Sequence, residues 1–275
     1  MTLFAGRARQ NLVRWLRRGD VRLLLPADPG PERMLECVRL FDPRAKPVSH
    51  GAVNVDGMRE VSLSRGYPLD PELAAEAGIP GEFGVVYFVG KTTRAQPYNW
   101  SDVQSKDKEQ VDMSFRLVRG LAARLGGLAH PHDQPAVAEP LRATIYTSRE
   151  IGAEDVRAIT AKFVPGLVPY DNPTFGPVGV SFWKTEDGLV ELSHWPQGTV
   201  SVLLPHAPRG VGDLFYHRAQ SWAVRLKLST PGSETDPRTA RLLGECALEI
   251  AAATGGPCVD QLGFRVTRPE DLVFG

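Results

Sequence analysis

The chain has 275 residues, 42% hydrophobic and 23% charged, which suits one large soluble domain or two ordinary ones. Lys+Arg and Asp+Glu balance at 32 each, so no global charge favours nucleic acid or a membrane surface. No apolar run approaches the roughly 18–20 residues that cross a bilayer, and no apolar segment of signal-peptide type follows the N-terminal arginines, so a cytoplasmic location is expected.

The first element, LFAGRARQNLVRWLRR (Leu3–Arg18), reads as a basic amphipathic helix. Phe4, Ala8, Leu12, Trp15 and Leu16 share one arc of the wheel, and Arg7, Arg9, Arg14, Arg17 and Arg18 lie outside it. Residues 1–18 therefore stand apart as an N-terminal segment. The helix is either docked on its own domain with its arginines in water, or an arm for an anionic membrane surface or an acidic groove.

Unit one, residues 19–133, opens with a strand over Val21–Pro26 and a helix over Pro31–Phe41. An Asp-Gly hairpin follows at Asp56–Ser64, then a short helix at Asp70–Gly78 with Asp70 as cap and Pro71 in the first position. A strand at Val85–Lys91 comes next, and then a helix carrying Phe115, Val118, Ala122 and Leu125 that stops at Gly126. Residues 134–140 form a linker inside PHDQPAVAEP, which has three prolines in ten residues. Unit two, residues 141–275, shows the same order. It has a strand (Leu141–Ser148), a helix (Ala153–Phe163), an Asp-Gly hairpin (Asp187–Trp195) and a strand (Trp222–Leu228). Its last helix is capped by Asp236, carries Leu243, Ala247, Ile250 and Ala251, and stops at Gly255.

Five elements thus recur in order at offsets of about 120 to 137 residues, and the Gly pairs of RLGGLAH and ATGGPCV lie about 129 apart. The expected fold class is α+β, with two related α/β-sandwich units in tandem behind the N-terminal helix. Each leans toward the ferredoxin-like, split β-α-β plan. The drift in offset marks two insertions, TTRAQPYNWSDVQSKDKE in unit one and PHAPRGVGDLFYHRAQS in unit two.

No complete chemical motif appears. GVVYFVGKTT (Gly84–Thr93) has five residues between its glycines where a phosphate-binding loop needs four, and those residues read as the strand itself, so no nucleotide is expected. AHPHD places His130, His132 and Asp133 within a short span, and Asp260 is their nearest counterpart in unit two. The set is too small and too proline-rich to predict a metal. The three cysteines, Cys37, Cys246 and Cys258, match no metal spacing and read as buried thiols in a reducing compartment. No cofactor is called for. Tyr98 and Trp100 in the first insertion, with Phe215, Tyr216 and Arg218 in the second, have the character of contact anchors.

These features lead to an expectation of a non-catalytic binding protein. It would use a cleft or surface between duplicated units and take a protein partner, without nucleic acid or nucleotide. The alternative is a hydrolase-like enzyme whose acid–base groups come from His130, His132, Asp133, His217 and Asp260.

Overall fold

The computed structural model of the protein describes residues 12–14, 16, 21–48, 51–55, 61–90, 105–130, 141–172, 179–196, 200, 211, 222–228 and 237–272, with side chains in the long helix from residue 114 onward. The fold is mixed α+β with two antiparallel sheets. The chain divides into two compact units, Met1–Pro135 and Ala136–Gly275. Among the described residues no helix is long and apolar enough to cross a membrane.

Unit one contains β1 (Arg22–Leu25), α1 (Pro31–Phe41), β2 (Lys46–Pro47), β3 (Val53–Val55), β4 (Val61–Leu63), β5 (Tyr67–Pro68), α2 (Pro71–Ala77), β6 (Val85–Gly90), α3 (Ser105–Leu125) and β7 (Leu128–His130). Unit two contains β8 (Arg142–Thr147), α4 (Ala153–Ala161), β9 (Val168–Pro169), β10 (Ser181–Lys184), β11 (Val190–Trp195), β12 (Trp222–Leu228), α5 (Pro237–Thr254) and β13 (Cys258–Asp260). The sheets run β7-β1-β6-β4-β3-β2, with β5 added on β6, and β13-β8-β12-β11-β10-β9. Read from the last strand of each unit, the two orders correspond strand for strand. The short strands β2 and β9 turn each expected hairpin into a three-stranded meander. Two residues carry no alternation that a sequence could show. Pro47 and Pro169 leave these edge strands short of a donor, which blunts them against pairing with other chains.

Helices form where apolar spacing and end signals agree. Pro31 opens α1, which buries Met34, Cys37, Val38 and Phe41 along one stripe. Asp70 caps α2 by accepting from the Leu73 amide at 2.7 Å. The paired glycines do two different jobs at equivalent places. Gly126 and Gly255 have φ of 67° and 66°, the left-handed residue that ends α3 and α5. The next residues, Gly127 and Gly256, donate back to Ala122 O (2.8 Å) and Ala251 O (3.2 Å), closing the helix ends. A Cβ on Gly127 would lie 2.2 Å from the Leu24 carbonyl oxygen, and one on Gly256 would lie 2.0 Å from that of Tyr146. In each unit the chain thus turns from a helix directly under the first strand, where no side chain fits.

Different elements pack on the two faces of each sheet. In unit two, α4 and α5 pack Val156, Leu243, Cys246, Ala247 and Ile250 onto Ala143, Ile145, Leu192, Val224 and Leu226. On the second face, Val200 and Val211 from the β11–β12 connection cover Tyr146, Trp195, Ala223 and Val259. In unit one the β4–β6 connection plays that part through Leu73, Ala74 and Ile79 of α2 and its flank, which meet Leu24 and Val86. The helical residues Val13 and Leu16 join this cluster and are 7% and 2% exposed, so this part of the N-terminal segment is docked on unit one while Arg14 stays exposed. Arg22, buried on β1, donates to the Leu16 carbonyl and ties the segment to the sheet.

Candidate functional site

Pairing in unit two's sheet arranges alternate residues into rows on the face opposite α4 and α5. At one end Tyr146, Ala223 and Trp195 stand side by side and are buried under Val200 and Val211. The middle row is Thr144, Arg225, Ser193 and Phe182. The far row is Arg142, Lys227, Glu191 and Lys184, one residue from each of four adjacent strands. Exposure rises along the strands toward this far row. Lys227 and Glu191 are 34% and 23% exposed at the side chain, and Lys184 is exposed. The apolar cover therefore gives way to a charged half-face within two residues.

Arg225 sits at that boundary. Its guanidinium lies over the Trp195 indole, 5.5 Å from the ring centroid, and Trp195 is itself held by its indole N–H donating to Ser193 Oγ at 2.9 Å. The Nε of Arg225 is buried and meets no acceptor in the described structure. Burial lowers the Arg225 pKa to about 10, and neighbouring Arg142 pushes the same way against the opposing pull of Tyr146 and Glu191. The group remains a cation near neutral pH. Glu191 is the carboxylate of the far row and pairs with Lys227 at 3.7 Å. It also faces Tyr170, whose phenol is pushed up to about 12 by burial, then by the Glu191 charge. Tyr170 packs on Phe182 at 5.8 Å and receives the Lys184 ammonium at 4.9 Å from its ring centroid. Among the described residues the half-face thus offers four cations and one carboxylate on strands backed by aromatic rings.

In unit one Arg22 stands opposite Phe88 and His130 on its two neighbouring strands and is buried, with its guanidinium donating to the Leu16 carbonyl.

Two of the sequence's catalytic candidates fall in the described structure. His130 ends β7 in unit one, half-buried. Asp260 ends β13 in unit two, and its Oδ1 accepts from the Leu262 and Phe264 amides at 2.9 and 2.8 Å, so this carboxylate organises the turn that follows. The two also differ in register. Three residues beyond the second glycine of each pair come His130 and Val259, so Asp260 lies one position past the counterpart of His130. His132, Asp133, His217, Tyr98, Trp100, Phe215, Tyr216 and Arg218 lie outside the described residues, as do Lys91, Arg7, Arg9, Arg17 and Arg18. The segment before Lys91 forms β6 between β1 and β4, a strand as its residues suggest.

Elsewhere His194 faces the helices. Its Nε2 lies 2.9 Å from the Ile151 carbonyl, and burial, despite that bond, holds its pKa below the ordinary value and favours the neutral ring. The three thiols are buried, and burial pushes Cys246 up to about 11. Among the described residues no group of three His, Cys, Asp or Glu side chains is placed to hold a metal. The cationic half-face escaped the sequence reading, although the alternation in WAVRLKL contained its signal. Compared with known proteins, the chain matches no family model and no curated sequence, so its functional reading rests on these residues.

Proposed function

We propose that this is a non-catalytic binding protein, built from two duplicated α+β units, whose second unit carries a contact surface for a protein partner. The observation that carries the reading is the partly exposed row Arg142–Lys227–Glu191–Lys184 beside Arg225, set on a sheet whose other end is sealed. Side chains carried on paired strands, and backed by Trp195 and Phe182, suit recognition because the backbone that presents them is already ordered. The shared strand order and the matched geometry of the Gly pairs support duplication. The four strands β7-β1-β6-β4, and likewise β13-β8-β12-β11, support the split β-α-β leaning, with the two outer strands of each sheet as additions. Buried thiols are in keeping with a cytoplasmic location.

Tyr98 and Trp100, with Phe215, Tyr216 and Arg218, are a further proposed contact from the two insertions. The arginine side of the N-terminal helix is a proposed electrostatic contact for an anionic membrane surface, since Leu12, Val13 and Leu16 pack inside unit one.

The test is co-purification of the tagged full chain, identification of the partner, and titration of that partner against wild type and a Lys184→Glu/Lys227→Glu variant. The expected outcome is at least a tenfold loss of affinity, about 1.4 kcal/mol. Equal affinity in the two proteins would remove the surface from the reading.

A further inference from the structure

We infer that the partly exposed half-face of the C-terminal sheet receives an extended acidic segment of the protein partner, with its carboxylates set against Arg142, Lys227 and Lys184 and the innermost one on Arg225. The inference rests on the binding reading above and adds the chemistry of what is bound.

Charge is the first argument. Among the described residues of these four strands, Arg142, Lys227, Arg225 and Lys184 share this part of the face with one carboxylate, Glu191. Opposite pairs on adjacent strands hold their Cβ atoms about 5 Å apart. Arg142 and Arg225 are diagonal neighbours on this face, like charges about 7–8 Å apart at the Cβ atoms, and they repel each other. An incoming carboxylate between them would turn this repulsion into two attractions.

Geometry is the second argument. Arg225 is half-buried, lies over the Trp195 ring, and has a buried Nε that meets no acceptor in the described structure. A guanidinium is planar and presents the fork that a carboxylate accepts through two parallel hydrogen bonds.

Spacing is the third argument, and it selects a peptide over a single small anion. From β8 to β10 the far row crosses three strand intervals, roughly 14 Å at about 4.8 Å each. In an extended chain, side chains on one face recur about every 6.7 Å, so three alternate acidic residues span about the same length. One phosphate group would meet only two of these cations at a time.

The experiment uses the full chain and a fluorescein-labelled ten-residue peptide with Glu at alternate positions and Ser between them. The controls are the same peptide with Gln for Glu, inorganic phosphate, and a single-stranded DNA ten-mer as competitors. Anisotropy titrations are run in low and high salt on wild type, on Arg142→Gln/Lys227→Gln and on Arg225→Lys, with circular dichroism confirming the fold of each. The altered side chains of the double variant are partly exposed, and Arg225→Lys keeps the charge while losing the fork. The expected result is salt-sensitive binding of the Glu peptide, at least tenfold weaker in the double variant, and a several-fold loss in Arg225→Lys. The Gln peptide should bind at least tenfold more weakly than the Glu peptide. Equal binding of the Glu and Gln peptides would overturn the inference, as would an unchanged affinity in the double variant. Stronger displacement by phosphate or DNA than by unlabelled Glu peptide would overturn it too, by showing another anion as the better fit. A natural partner that binds wild type and the double variant equally would sink the acidic seat and leave the binding reading standing. Substrate turnover by the wild type would sink the non-catalytic reading and leave the peptide result unaffected.

Discussion

The Gly pairs permit a stability prediction with an internal control. Gly255→Ala and Gly256→Ala change adjacent residues by the same methyl group, yet the structure assigns them different costs. A Cβ at Gly255 meets nothing within 4 Å, so its cost is that of a left-handed backbone (φ 66°), about 1 kcal/mol. A Cβ at Gly256 would lie 2.0 Å from Tyr146 O, 2.9 Å from Tyr146 C and 3.1 Å from Thr147 Cβ. Relief requires the turn to move away from β8. That motion strains the Tyr146 N–H bond to Pro257 O at 3.1 Å and the Gly256 N–H bond to Ala251 O at 3.2 Å. Overpacking costs roughly 1–3 kcal/mol and each weakened bond on the order of 1 kcal/mol, so Gly256→Ala should cost about 3 kcal/mol or more. Gly126→Ala and Gly127→Ala should rank the same way, since a Cβ at Gly127 would lie 2.2 Å from Leu24 O. Urea denaturation followed by tryptophan fluorescence measures the unit-two pair, because Trp183, Trp195 and Trp222 are all buried there. Transitions are fitted separately where the two units unfold apart. A Gly256→Ala protein as stable as Gly255→Ala would refute the close-approach argument, and a reversed order in unit one would refute the equivalence of the two turns.

Deleting residues 1–18 should lower the unfolding temperature by on the order of 5–10 °C, since Val13 and Leu16 are buried and each such side chain contributes about 1.5–3 kcal/mol; calorimetry decides, and an unchanged midpoint would show that their packing adds nothing. Burial depresses the folded pKa of His194 below its unfolded value of about 6.5, so its contribution to stability is intact above that pH. It is lost as pH falls toward the folded value, because the unfolded chain takes up a proton that the folded one refuses. Denaturant midpoints from pH 8 to pH 5 should therefore fall more steeply for wild type than for His194→Gln, and parallel slopes would contradict the assignment. Replacing both Tyr98 and Trp100 with Ala should weaken partner binding at least tenfold, about 1.4 kcal/mol, measured by titration of the co-purified partner, and unchanged affinity would remove them as anchors. Lys91→Ala should leave partner affinity unchanged and no saturable nucleotide binding should be measurable in either protein, since the preceding amides belong to strand β6.

Local features were legible in the sequence because the signal and its cause lie within one element. Pro31 and the spacing of Met34, Cys37, Val38 and Phe41 specify α1 without reference to the rest of the chain. The same holds for Asp70 on α2 and for the left-handed glycines, whose role follows from their place after a helix. The strands β2 and β9 were not legible, since two residues contain less than one period of any pattern. Their place is set by where α1 and α4 release the chain at the sheet edge.

The candidate site was hidden for a related reason. Trp222–Leu228 shows its two faces plainly, with Val224, Leu226 and Leu228 buried among the helices and Ala223, Arg225 and Lys227 on the other side. What those residues meet depends on the register of three more strands, each brought in from elsewhere along the chain. Arg142, Glu191 and Lys184 become neighbours of Lys227 only through that pairing. A slip of one residue in any strand would turn its charged residue into the helix-facing core. The match of Asp260 with the His130 region shows the same sensitivity. Asp260 sits one residue beyond the counterpart of His130, and in a strand one residue is the difference between the two faces. Burial of Leu192, Val224 and Ile145 against α4 and α5 therefore fixes more than stability. By locking the register on the helix side, it dictates which charges stand together on the other, so the cationic row is a consequence of how the core packs.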